Sequence, residues 1–139
     1  MTNSVTDKDA GWKINLNAPD WRGEKNLGDA TTAAGVILFT TFTPLGTDPN
    51  NPCMSRSLNR VWGVYATSGD PFTHWVDGET GTLEPPDRYT DLTQKGIAPS
   101  VQVLADPEGG TMGVCGIGQV MMKRCVDFGS AIRSYWEHK

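Results

Sequence analysis

A β-branched and aromatic run at residues Ala34–Pro44 constrains the fold of this chain more than any other feature. Turn-forming residues bound the run at both ends, which is typical of a buried strand. A second run, Arg60–Asp70, alternates with a period of two and places apolar residues on both faces. It ends at the turn signal Ser68–Asp70, and a shorter strand-like run, Phe72–Val76, follows. This order predicts an antiparallel meander.

The remaining segments predict further short strands joined by loops. Glycine and proline, 16 and 9 residues, favour turns over long helices. We expect long loops at Pro44–Leu58 and Gly78–Gly96, and no helix, because glycine disfavours the one alternative helix at Gly118–Val126. The expected strands are Trp12–Leu16, Asp29–Ala33, Ser100–Asp106, a candidate strand pair at Thr111–Val120 that Met121–Phe128 extends, and Ser130–Glu137, which could also be a helical turn. The fold class predicted is all-β, built of short antiparallel meanders.

Charge and hydropathy exclude two classes of partner. The net charge is −4, and Lys123-Arg124 is the one adjacent basic pair, so the sequence predicts no nucleic-acid binding. No apolar run approaches the length of a membrane span, which predicts no membrane insertion. The polar residues 1–9 resemble neither a signal peptide nor a transit peptide. We expect residues 1–10 to be a disordered extension preceding a β domain at residues 11–139.

Three cysteines leave more than one pairing open. Cys115 and Cys125 lie ten residues apart around a predicted turn, so they could face each other across a hairpin and form a disulfide. Cys53 could instead pair with either of them and fix the preceding loop. Three unpaired thiols remain the third alternative.

No constellation of residues predicts a catalytic, cofactor or metal site. The acidic loops at 48–50 and 77–81 lack the ligand run of a calcium loop. The glycines of Gly113–Gly118 lack both the full nucleotide-binding spacing and a βαβ context. Aspartates and glutamates fall almost entirely in turns, and no serine is marked as activated, so we expect a protein that is not an enzyme.

Aromatic residues supply the candidate interaction sites. Trp62 and Trp75 stand at strand positions and are expected in the core, whereas Trp21 and Trp136 stand in a loop and near the terminus. With Tyr135, the latter two are predicted to be interaction anchors. Plain packing is the alternative for all five tryptophans.

The segment Arg60–Val76 resembles the strand–turn–strand unit of quinoprotein-type β-propeller blades. The order of segments along the chain is similar to the C-terminal part of the PilY/PilC family of type IV pilus-associated tip adhesins. The segments that carry this resemblance, besides the Trp62 strand, are Gly11–Leu16, Gly23–Lys25, Gly35–Pro44, Asp48–Cys53, Gly96–Val101 and Ser130–Glu137. The family's calcium loop is absent, so no metal is implied.

The resemblance implies both a fold and a function. A blade takes roughly 40–50 residues, so the chain would be a partial propeller or a small self-contained β domain within a longer adhesin. The implied function is non-enzymatic: pilus biogenesis and adhesion, by docking on minor pilins or tip proteins and by attachment to host or abiotic surfaces. The implied location is exported, in the periplasm, at the outer cell surface or at the pilus tip. The alternative is a fragment of a quinoprotein-type dehydrogenase.

Overall fold

The structure is a computed structural model that describes residues 11–16, 23–75, 80–93, 96–105, 111–117 and 120–130. Side chains are described up to Val103, except that of Met54. Trp21, Tyr135 and Trp136, predicted to be interaction anchors, lie outside the described residues, as does the expected N-terminal extension 1–10.

The described residues form two antiparallel sheets and one short 3₁₀ helix. The elements in chain order are β1 (Lys25–Asn26), β2 (Thr31–Ala33), β3 (Val36–Asp48), β4 (Asn51–Tyr65), the 3₁₀ helix η1 (Pro85–Arg88), β5 (Tyr89–Leu92), β6 (Leu104–Ala105), β7 (Thr111–Ile117) and β8 (Val120–Ser130). In the five-stranded sheet β4 lies between β3 and β5, and both β1 and β2 pair with the far edge of β3. Strands β6, β7 and β8 form the second sheet. The all-β prediction is confirmed.

Propeller blades are not seen in the described part of the chain. A blade is a four-stranded sheet repeated around a central channel, whereas the two sheets here have five and three strands and different pairing orders. The prediction of blade-type meanders therefore holds only as far as short antiparallel strands.

The β2–β3 hairpin turns through two residues in the left-handed region. Ala34 has φ of 48° and Gly35 has φ of 78°. Two consecutive positive φ values in a two-residue loop are the pattern of a type I′ turn, whose twist matches that of the flanking strands. Ala34 is the one non-glycine residue with positive φ among those described, so the turn carries strain at this position.

Strands β3 and β4 pair in one unbroken register from Val36–Tyr65 to Pro44–Ser57. The backbone N–H of Ala66 donates to Gly35 O just beyond this ladder. Because bonded pairs alternate in an antiparallel ladder, the N–H and C=O of Val36, Leu38 and Phe42 point away from β4. These groups face β2 and β1, which pair with the same residues.

One face of the sheet carries the apolar core. Val36, Leu38, Val61 and Leu92 are buried there together with Ala98 and Val101 of the segment that follows β5. Gly63 has no side chain, and Phe72 and Trp75 pack into the space above it. Trp62 is 1% exposed and Trp75 packs against the core, as the sequence predicted.

Polar bonds fix the segment 96–103 against this face. The Thr40 hydroxyl donates to Pro99 O, and the Asn59 side-chain amide donates to Gly96 O. The Thr31 hydroxyl donates to Val101 O. These bonds satisfy main-chain carbonyls of a segment that forms no ladder before β6.

Several predicted elements differ from the structure. Pro44–Leu58 was predicted to be a loop but is the paired end of β3 and β4, and the expected loop Gly78–Gly96 contains η1 and β5. Trp12–Leu16 is not a strand; Trp12 instead packs on Gly69 and donates its indole N–H to Ala66 O. The strand expected at Phe72–Val76 is not formed by its described residues 72–75; a bridge joins the preceding residue, Pro71, to Val64.

The hairpin turn gives a stabilising substitution. We expect Ala34→Asn to raise the free energy of unfolding by about 0.5–1 kcal/mol, because asparagine tolerates positive φ better than alanine and Asn-Gly suits a type I′ turn. At the next position, Gly35→Ala should lower the free energy of unfolding by about 1–2 kcal/mol, because it places a β-carbon at a positive φ. Chemical denaturation of both variants measures the two effects, and equal effects would contradict this turn geometry.

Candidate functional site

The paired ends of β3 and β4 project beyond the rest of the sheet. On one side the pairing of β1 with β3 ends at Phe42, and on the other the pairing of β5 with β4 ends at Asn59. Residues 43–58 therefore form a two-stranded ribbon that turns at Pro49–Asn50, and we call this ribbon the arm.

The arm presents a nearly neutral surface with exposed apolar groups. Its charged residues are Asp48 and Arg56, one of each sign. Leu45 is 36% exposed. The other residues with exposed side chains or backbone are Pro44, Gly46, Thr47, Pro49, Asn50, Asn51, Pro52, Cys53, Ser55 and Arg56. Among the described side chains of the arm, Leu45 is the exposed large aliphatic one.

Both edges of the arm have features that disfavour pairing with a further strand. By the alternation described above, Pro44 occupies an outward position of β3, where it has no N–H to offer. On the other edge, the N–H of Cys53 donates to Asn51 Oδ1. The register also shifts between Pro44 and Thr47 and again before Asp48. Because irregular edges resist ladder formation, the arm is suited to contact a partner through its side chains.

The turn of the arm is held by its own side chains. The N–H of Asn50 donates to Asp48 Oδ1 at 2.8 Å, which is an Asx turn. Proline at positions 49 and 52 further restricts the backbone. The Asx turn and the two prolines thus restrict the backbone at the turn of the arm.

A polar network links the base of the arm to Glu24, directly before β1, and to β5. The Trp62 indole N–H donates to the Thr41 hydroxyl at 3.0 Å, and this hydroxyl donates to Glu24 Oε1. Arg60 bonds the other Glu24 oxygen and Asp91, both at 3.0 Å. The Glu24 side chain is 4% exposed, so its charge is buried and is compensated by Arg60.

Aromatic rings enclose the same network. The Arg60 guanidinium lies 4.3 Å from the centroid of the Tyr89 ring, a cation–π distance. Trp62 contacts Tyr89 on one side and Phe39 on the other. Burial opposes the charge on Arg60, but the hydrogen bond to Asp91 and the charge of Glu24 raise the pKa of Arg60 above its ordinary value. Arg60 is therefore a cation at neutral pH.

The cysteines are placed on two different sheets. Cys53 is an exposed free thiol on the arm. The backbone places Cys115 in β7 and Cys125 in β8, each next to the paired residues Val114 and Val126. Their side chains are outside the described part, so the Cys115–Cys125 disulfide stays a prediction.

Sequence reasoning missed the residues at the base of the arm. Glu24 follows a glycine in a polar stretch, and Thr41 lies in an apolar run, so neither carries a local signal of a shared buried network. Pro44 and Pro52 favoured a loop, although proline is compatible with an edge strand.

The described residues show neither a metal cluster nor a membrane-spanning helix. No three His, Cys, Asp or Glu side chains among them are grouped to hold a metal ion. No helix in this part of the chain has the length and apolar character needed to cross a bilayer. No protein-family model, curated protein or solved structure matches the chain.

The hydrogen-bond network makes Thr41 sensitive to a substitution that preserves shape. Thr41→Val removes the acceptor of Trp62 and a donor to Glu24, so we expect the free energy of unfolding to fall by about 1–3 kcal/mol. Thr47→Val, on the exposed arm of the same strand, is the matched control and should change it by less than about 0.5 kcal/mol. Chemical denaturation followed by tryptophan fluorescence compares them; equal effects would contradict the network.

Proposed function

We propose that the chain is a non-enzymatic protein-binding module that docks on another protein through its arm. We further propose that it acts as the C-terminal part of an exported type IV pilus-associated tip adhesin, at the periplasm, the outer cell surface or the pilus tip. Its partners would be minor pilins or pilus tip proteins, and it would support attachment to a host or abiotic surface. The observation that carries the proposal is the projecting arm, residues 43–58.

The geometry of the arm supports a docking role. A two-stranded ribbon without further strands is marginally stable in water, so a projecting one needs a well-anchored base. The base here is anchored by the buried contacts of Thr41, Arg60 and Trp62. Restricted turn residues and an anchored base let the arm offer its exposed side chains at low entropic cost.

The charge distribution is consistent with a protein partner. The chain is acidic overall, but the arm carries one acidic and one basic residue and is close to neutral. Exposed Leu45 and the neighbouring prolines can be buried against a partner without removing a charge from water. Arg56 is the one basic residue of the arm, which is too few to bind a nucleic-acid phosphate backbone.

The sequence resemblance supports the pilus assignment through the same region. Two of the segments that carry it, Gly35–Pro44 and Asp48–Cys53, lie in β3 and in the turn of the arm. The Trp62 strand is β4, which forms the other half of the hairpin. The segments that carry the resemblance thus include the turn of the arm and the strands on either side of it.

A pair of matched charge substitutions tests the proposal. We expect Leu45→Arg to weaken binding to purified minor pilins by about tenfold or more, because it places a charge within the buried contact. Ile97→Arg alters an exposed aliphatic residue outside the arm, 61% exposed, and should leave binding unchanged. Surface plasmon resonance measures the affinities, with thermal unfolding as a check on folding. Equal affinities of the folded Leu45→Arg variant and the unsubstituted protein would refute docking through the arm.

A further inference from the structure

A short segment covers the outer edge of β3 over the residues that precede the arm. Residues 24–33, which we call the strap, contain β1 and β2 and lie antiparallel to β3 from Val36 to Phe42. The alternation of the β3–β4 ladder directs the N–H and C=O groups of Val36, Leu38 and Phe42 towards the strap. This is the stretch of the β3 edge that retains its donors, because Pro44 interrupts the edge at the arm.

The strap is held by polar contacts and not by the apolar core. None of its residues belongs to the buried apolar cluster on the core face. Lys25, Asn26 and Leu27 are exposed, and Leu27 is 52% exposed although it is aliphatic. Glu24 is the one buried residue of the strap, and the contacts of its side chain are an ion pair and a hydrogen bond.

The opposite edge of the sheet is anchored differently. Strand β5 places Leu92 in the apolar core and Tyr89 against Trp62. Segments with few buried apolar contacts open at lower free energy than segments that contribute to the core. The strap should therefore open before β5 does.

We infer that the β3 edge beneath the strap is a docking edge for an extended segment of a partner protein, which replaces the strap by antiparallel strand addition and carries an acidic residue in the place of Glu24. The inference rests on the proposed function, since it assumes a protein partner, and it assigns that partner a second contact adjacent to the arm. Strand addition supplies affinity through main-chain bonds and specificity through alternate side chains.

The acidic residue follows from the charges left behind when the strap opens. The Thr41 hydroxyl accepts from Trp62 and donates to Glu24, so opening removes its acceptor. Opening also removes one of the two carboxylates that Arg60 bonds. A buried donor and a cation that lose a partner are costly, and an incoming carboxylate at this register restores both bonds.

Hydrogen exchange on the single chain tests whether the strap opens. In Glu24→Gln we expect the amide of Phe42, which faces the strap, to exchange roughly tenfold faster. The amide of Thr41 faces β4 and should be unchanged. Asp91→Asn is the matched control, because it removes the other carboxylate of Arg60 from β5 and should leave the Phe42 amide protected. Equal exchange of Phe42 in both variants would overturn the inference.

A peptide probe tests whether the opened edge accepts a strand. A labelled synthetic peptide with the sequence of residues 23–33 should bind the Glu24→Gln protein at least threefold more tightly than the unsubstituted protein, by fluorescence anisotropy. The same peptide with glutamine in place of its glutamate should bind the Glu24→Gln protein more weakly. Absence of peptide binding to the opened protein would refute the docking edge. The Leu45→Arg variant should bind the peptide unchanged, so failure here is distinguishable from failure of the arm.

Discussion

The pairing of β3 with β4 is the interaction on which the five-stranded sheet, the polar network and the arm depend. Its register places Val36, Leu38 and Val61 on one face to form the core, and Thr41, Arg60 and Trp62 on the other to form the polar network. A shift by one residue would exchange the two faces and expose the core. The same ladder, continued past the shorter strands on both sides, produces the arm.

The two faces of this hairpin stabilise the protein by different means. Burial of aliphatic side chains on the core face is non-directional and tolerates small adjustments. The network on the other face requires each donor to meet its acceptor. A buried donor or acceptor left unpaired destabilises the folded state by more than one hydrogen bond stabilises it. Glu24, directly before the two-residue first strand, links that strand to the network through an ion pair with Arg60 and a hydrogen bond from Thr41.

The sequence predicted the central hairpin because its residues carry strong local signals. The run of β-branched and aromatic residues before Pro44 and the period-two pattern after Arg60 are sufficient to indicate two paired strands. A candidate strand pair at Thr111–Val120, extended by Met121–Phe128, was predicted in spite of its glycines, and β7 and β8 pair there. The arm was predicted to be a loop because prolines and short polar residues have low strand propensity, yet pairing with the neighbouring strand keeps these residues extended. Strand β5 was missed because Tyr89–Leu92 is too short for a periodic pattern.

The candidate site was less predictable than the fold. The anchors predicted from aromatic content, Trp21, Tyr135 and Trp136, rest on composition and position, whereas the arm arises from a difference in strand lengths that only three-dimensional pairing reveals. Glu24 and Arg60 are 36 residues apart in sequence, and no local pattern connects them.

We propose that the arm is the surface that a partner protein covers. Hydrogen-exchange mass spectrometry of the chain, alone and saturated with purified minor pilins, measures this directly. We expect slower exchange in peptides that span residues 43–58 and no change in those that span residues 80–88. Unchanged exchange across the arm in a saturated complex would contradict it.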